Sequence, residues 1–485
     1  MAESKRWTKL ITRRLAVQNA IAWNDAFQKM FKVFGIGVHD NLTYFDGKKT
    51  EYYLDAREER KLFIGLNKLV ENQRQIHVLP KNARKFLGKK SEEIHRLLAR
   101  VKNKIKDSEL LAIYRKIFHH LGEYYPWMWI VFLINEPLAE AVRSGLMKRF
   151  RNEKTAERLL LAFSRPFELN DAMKQRLELL RIADRSTGKN KQEIAQSLDR
   201  HVIRFRHIPM FDVDHGPWDR KHFEEELSKI ANARKEIVNI KKSEVERKRA
   251  FKEGLAQLRL RKKNRLYRLI HTLSAMAVLR DYRDSLRQKL NLALRGLYFE
   301  IGRRADLDVP EILLFSDREI ESYLQGKISR ERIKELAHER EKAFLLIQTG
   351  HRVRIFSGKA AVMKVEKIRK ESQPEADVPL KGIAGSTGRA KGRAVIVHTN
   401  LDLQKVEKGD VLVAPITRQD FVPVMRKCVA FVTDEGGVTC HTAIIAREFG
   451  LPCVVGTKNA TSRFRDGDLL EVDCAHGTVR KVGRT

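Results

Sequence analysis

His441 lies where a glycine pair gives way to a run that reads as a helix: Gly436-Gly437-Val438-Thr439-Cys440-His441-Thr442-Ala443-Ile444-Ile445-Ala446-Arg447. Glycines allow backbone conformations and close approaches that side chains block. Thr439 suits the N-cap, and the apolar run Ala443 to Ala446 carries the helix on until Gly450 stops it. His441 then falls in the first turn, where unpaired backbone N–H groups and the positive end of the helix dipole favour an anion. The same field disfavours imidazolium, so the ring tends to stay neutral and nucleophilic near pH 7. That setting suits a carrier of a phosphoryl group. A lone histidine more often merely decorates such a turn, so its surroundings decide the matter. Arg447 lies about 120° around the helix from His441, a place for anchoring the helix in the fold. Cys440 reads better as a small buried neighbour of the histidine than as a reactive thiol.

Other residues with chemical potential carry less. His119 and His120 are adjacent, so on a helix they point about 100° apart and chelate poorly. Tyr124-Tyr125-Pro126-Trp127-Met128-Trp129 reads as core, with a pocket for an aromatic acceptor as the alternative. Gly382, Gly385, Gly388 and Gly392 form a spaced series, but no strand-then-helix context surrounds Lys391, so it reads as a turning loop and not a P-loop. No cysteine spacing suggests zinc, and no metal site is expected.

The elements around His441 follow from alternation and turn signals. Strands are expected at Arg393 to His398, Asp410 to Ala414, Cys428 to Thr433, Cys453 to Gly456, Leu469 to Cys474 and Thr478 to Val482. Helices at Phe421 to Lys427 and Cys440 to Phe449 complete a compact β/α domain over residues 379–485. The polar, proline-containing stretch 371–378 reads as a linker. Residues 1–370 read as mainly helical. Trp23, Phe27, Met30, Phe31 and Phe34 form one stripe, stopped by Gly35; further helices are expected from Glu58 to Gln75, Ser91 to Lys104, Glu109 to Leu121 and Asp171 to Ile182. A long tract after Trp218 runs to Gly302, with a break expected near Gly254. Strand alternation shows only near Thr50 to Leu54.

The run Gly409 to Gly456 resembles the swivelling phosphohistidine domain of the PEP-utilising enzymes, the group of phosphoenolpyruvate synthase, pyruvate phosphate dikinase and rifampin phosphotransferase. The resemblance rests on Gly409-Asp410-Val411-Leu412-Val413, Thr417, Pro423, Met425, Thr433-Asp434-Glu435-Gly436-Gly437, the His441 block and Gly450-Leu451-Pro452-Cys453-Val454-Val455-Gly456. It implies that His441 is phosphorylated and carries its group between two active sites. Gly436, Gly437, Thr439, Cys440 and Thr442 would support it; Thr442 stands where alanine is more usual. More loosely, Leu279-Arg280-Asp281-Tyr282-Arg283, Leu294-Arg295 and Glu300-Ile301-Gly302-Arg303-Arg304 resemble the helical region preceding that domain in rifampin phosphotransferase, a region that helps bind the acceptor. The fold expected is therefore multidomain: a large mainly α-helical N-terminal region plus a C-terminal swivelling β/β/α domain.

Composition bounds the rest. The net charge is +34, yet from Val378 onward 16 Lys and Arg face 11 Asp and Glu, so the preceding region carries most of the excess. Such a field attracts polyanions, although interleaved glutamates favour plain solvated helix faces. The first six residues precede no apolar segment and no stretch approaches a membrane span, so a reduced cytoplasmic protein without membrane contact is expected. The helical region lacks the pattern of an ATP-grasp fold, and no barrel is expected after the last strand. A histidine on a moving domain cannot supply the cations that phosphoryl transfer needs. The reading is a phosphotransferase component that binds no cofactor by itself, takes its group from Mg-ATP on an ATP-grasp-type partner subunit, and delivers it to a small-molecule acceptor. The alternative is a basic regulatory or nucleic-acid-binding protein that uses the phosphohistidine as a switch.

Overall fold

The computed structural model describes residues 7–13, 17–47, 50–101, 105–186, 191–213, 216–350, 352–372, 379–398, 400–417, 421–438 and 440–484. The chain divides into two compact units. One comprises residues 1–14, 40–61 and 345–485, the other residues 15–39 and 62–344.

The second unit is helical. Helix Gln73–Leu98 packs against both Asp107–Leu133 and the 41-residue helix Arg265–Ala305. The tract after Trp218 breaks first between helices Arg220–Ser228 and Ala233–Leu258 and again at Arg259, five residues past the expected Gly254. Arg259 takes a left-handed φ of 46° to end helix Ala233–Leu258, and the Asn264 side chain caps the next helix through the Leu266 N–H. Gly254 serves packing instead, since a Cβ there would come within 2.9 Å of the Phe163 ring. Helix Val17–Phe34 stops at Gly35 as expected, with Phe27 and Met30 fully buried. Phe31 departs from that stripe and is 55% exposed, since it points about 100° around the helix from the buried Met30. Tyr124, Tyr125, Met128 and Trp129 are core, and the Trp129 ring lies 4.9 Å from that of Phe27. The aromatic run is packing, not a pocket.

The first unit holds two sheets. Strands β1 (Trp7–Arg13), β2 (Asp40–Phe45), β3 (Thr50–Asp55), β4 (Phe344–Thr349) and β5 (Arg352–Ser357) form a five-stranded sheet in the order β1-β3-β2-β4-β5. Only β3 shows in the sequence pattern. β4 is a continuous apolar run, which periodicity cannot tell from a buried helix. Helix Gly358–Ser372 follows, so Glu371 and Ser372 end a helix; the remainder of the expected linker, 373–378, lies outside the described residues.

The eight-stranded sheet comprises β6 (Leu380–Lys381), β7 (Ile383–Ala384), β8 (Arg389–Ile396), β9 (Val411–Ala414), β10 (Ala430–Thr433), β11 (Cys453–Val455), β12 (Asp468–Asp473) and β13 (Thr478–Arg484), ordered β6-β13-β12-β8-β9-β10-β11-β7. β8, β9, β10 and β11 are parallel neighbours, with antiparallel strands on either side. Alternation sends Val411, Val413, Ala430 and Val432 to one apolar cluster and Leu412, Ala414, Phe431 and Cys453 to another, where helix His441–Phe449 also packs. Among the described residues no helix is long and apolar enough to cross a membrane, and no group of three or more His, Cys, Asp or Glu could hold a metal.

Candidate active site

β10 ends at Thr433 and the chain turns through Asp434 to Cys440 before entering the helix. In an α/β sheet this crevice, beyond the carboxyl ends of parallel strands, is where ligands gather. The turn hangs from its neighbours by backbone hydrogen bonds: Asp434 N–H donates to Ala414 O (3.0 Å) and Glu435 N–H to Pro415 O (3.1 Å). On the other side Thr457 and Lys458 N–H groups donate to Thr433 O (3.0 Å) and Asp434 O (2.7 Å). Gly436 has φ 114°, a conformation L side chains rarely adopt, and a Cβ there would lie 2.7 Å from Cys440 Sγ. Gly437 accepts the Cys440 N–H through its carbonyl at 3.0 Å.

His441 is the first residue of the nine-residue helix His441–Phe449, as expected; its side chain lies outside the described set. The N-cap is Cys440, with φ −71° and ψ 163°, and not Thr439, which lies outside the described residues. The cap shifts by one because the Cys440 carbonyl accepts the first helical bond, from Ile444 N–H at 3.0 Å. Gly450 ends the helix with φ 66°. A helix beginning at His441 leaves the N–H groups of its first turn without intrahelical partners, directed toward an incoming anion.

Around this turn, polar side chains are buried and spent on holding backbone. Asp434, 2% exposed, accepts from the Thr461 N–H (2.9 Å) and the Thr461 hydroxyl (2.5 Å). Thr433 donates its hydroxyl to Glu435 O at 2.7 Å, and Thr457 to Thr433 O at 2.8 Å. Thr442, next to the histidine, shares a buried 2.8 Å hydrogen bond with Thr417. Arg447 reaches back from the helix to donate to Val438 O at 2.6 Å, which ties the turn to the helix. Gly436, Gly437, Cys440, His441, Thr442 and Arg447 thus meet in one turn-and-helix unit. Sequence reasoning did not anticipate Thr461 and Thr457; nothing in their spacing marks them as partners of Asp434 and Thr433.

Cys440 is half-buried beside the histidine. Desolvation pushes the Cys428 thiol up to about 12 and the Cys453 thiol well above its ordinary value, so neither is a thiolate near neutrality.

Comparison with known proteins settles what this turn belongs to. Residues 406–477 match the PEP-utilising enzyme mobile domain. The match spans β9 to the turn before β13 and includes His441 and every residue of its turn. Curated relatives of this part of the chain include the phosphoenolpyruvate synthase of Pyrococcus furiosus, 39% identical over 147 residues, which is 30% of this chain and 17% of that protein. A probable phosphoenolpyruvate synthase of Pyrococcus abyssi is 47% identical over 111 residues, 23% of this chain and 14% of its own. The phosphoenolpyruvate synthase of Escherichia coli is 38% identical over 141 residues, 27% of this chain and 17% of its own. The chain therefore spans less than a fifth of the length of these relatives.

Proposed function

We propose that this chain is a phosphotransferase component in which His441 is transiently phosphorylated and hands its phosphoryl group to a small-molecule acceptor. One observation carries the reading: a histidine at the first position of a helix, behind a glycine turn, in a mobile domain of this family. An imidazole nitrogen attacks the phosphorus of the donor, the bond to the donor oxygen breaks, and the first-turn N–H groups take up charge on the phosphoryl oxygens. An acceptor hydroxyl then attacks the same phosphorus, the N–P bond breaks, and the hydroxyl proton leaves. The donor in this reading is Mg-ATP on an ATP-grasp-type subunit, because the cations that neutralise a transferring phosphoryl group must come from outside the mobile domain. The stretch 371–378 serves as the hinge.

The basic region supports this reading over a nucleic-acid switch. Many of its cations are already matched along their own helices, as in Arg220–Glu224, Lys248–Glu244 and Arg249–Glu253.

The test is incubation with an ATP-grasp subunit and radiolabelled ATP, scored for acid-labile, base-stable label. Wild type takes up label and His441→Ala loses it by at least about a hundredfold, the scale of removing a nucleophile. Label at the wild-type level in the variant overturns the assignment.

A further inference from the structure

Within the helical unit, helix Arg265–Ala305 turns Asp281, Tyr282 and Ser285 toward a cavity whose other wall is Arg84 and the turn entering helix Asp171–Ser186. The empty space measures about 400 Å³, its open mouth included. The wall is polar, and its cations are engaged. Lys174 lies 3.5 Å from the Asp171 carboxylate, and the Arg84 guanidinium stacks over the Tyr282 ring at 4.6 Å. Asp171 is saturated as well: His207 Nε2 at 3.1 Å, the Ser285 hydroxyl at 2.5 Å and Lys289 Nζ at 3.2 Å all meet its Oδ2.

Asp281 is different. The ion pair described for it, with Arg280 Nε, is 3.9 Å long, beyond hydrogen-bond reach, while its side chain keeps only 22% exposure. Burial above all holds its pKa above the ordinary carboxylate value, and the charges of Asp284 and Asp171 add to the rise. Arg280 and Arg283 oppose that rise, but with its ion pair too long for a hydrogen bond the Asp281 carboxyl has room for a donor from a ligand. The wall carries three carboxylates, Glu168, Asp171 and Asp281, against the two cations Arg84 and Lys174, a balance that favours a cation over an anion. Gly88 faces Tyr282 on this wall: a Cβ there would come within 2.8 Å of the Tyr282 hydroxyl, so the ring would have to shift.

We propose that this cavity binds a small amino alcohol, its ammonium against Asp281 and its hydroxyls toward Ser285 and Tyr282. The site is independent of His441 and holds whether or not the phosphotransferase reading does.

Isothermal titration of the full chain tests it, with ethanolamine, Tris and glucosamine as amine probes and phosphate and pyruvate as anion probes. At least one amine should bind one-to-one with a Kd of about 1 mM or tighter. Asp281→Asn and Gly88→Ala should each weaken it at least about tenfold, the scale of a lost charged contact, with circular dichroism unchanged. The proposal is overturned if none of the three amines binds, if either folded variant keeps wild-type affinity, or if phosphate binds and competes with the amine.

Discussion

The mobile domain and the helical unit both bury polar groups, but they put them to opposite use. Around His441 each buried side chain is matched to a backbone or hydroxyl partner: Asp434 to Thr461, Thr433 to Glu435, Thr442 to Thr417, Arg447 to Val438. The result is a backbone turn held rigidly enough to present N–H groups to an anion. In the helical unit Asp171 is likewise saturated, yet Asp281 on the same cavity wall is left short of a close partner. A fully matched network buys shape, whereas an unmatched group marks a place for a ligand. The contrast teaches where each unit should be fragile.

Its sharpest consequence falls on Asp434. Asp434→Ala removes the acceptor for two donors of Thr461 and leaves them buried, which should cost about 2–4 kcal/mol. Urea unfolding of the mobile domain's transition measures it; a loss below about 0.5 kcal/mol would mean the network is ornamental and would break the comparison. Gly436→Ala comes next. It forces a residue with a Cβ into φ 114° and against Cys440 Sγ, for about 1–3 kcal/mol of strain. Because that strain lies in the turn itself, label on His441 should fall about tenfold even where the domain remains folded. Unchanged labelling would show that the turn tolerates relaxation.

A smaller effect is expected at the threonine pair. Thr442→Val keeps the shape but removes the hydrogen bond to Thr417, a cost of about 0.5–1.5 kcal/mol. The double variant Thr417→Val with Thr442→Val removes both partners and should recover part of that loss. Strict additivity in the thermal unfolding of the three variants would deny that the two hydroxyls interact.

Much of the mobile domain was legible because its strands alternate and its helix is bounded by glycines. β8 to β13 and the helix at His441 fall within a few residues of their expected places. Local pattern suffices there because each strand sits between two apolar clusters. The five-stranded sheet was not legible, since β4 is an apolar run without alternation and β1 pairs with β3 from far along the chain. The cap slipped from Thr439 to Cys440 because a cap is set by backbone geometry, which residue type only biases. The aromatic run Tyr124 to Trp129 shows the same limit: composition cannot distinguish a core from a pocket, and packing against Phe27 decides it. Asp281 was visible only as part of a motif; what singles it out is the distance to Arg280, which no sequence carries.

The smallest effect expected is a pH dependence in the helical unit, where Asp171 and Asp281 should work against each other. The hydrogen bond from His207 chiefly, with Ser285 and Lys289, holds Asp171 well below the usual carboxylate range. A depressed folded value supplies stability that is present above the unfolded value of about 3.9 and lost as pH falls below it. Asp281 has the reverse sign. Its value is raised by burial first and by Asp284 and Asp171, against the opposing pull of Arg280 and Arg283, so stability is lost as pH rises from about 3.9 through the folded value. Urea unfolding between pH 3 and pH 7 should therefore separate two variants. Asp171→Asn should be less stable than wild type at pH 7, with the gap beginning to narrow below about pH 4 but largely persisting at pH 3. Asp281→Asn should match or exceed wild type at pH 7, with any gain vanishing at pH 3. The two slopes fall in adjacent windows, that of Asp171 below about 3.9 and that of Asp281 above it, so the variants separate them. If both variants shift stability in the same direction at pH 7, the two carboxyls are not held apart, and the contrast between a saturated and an under-partnered acid on one cavity wall fails.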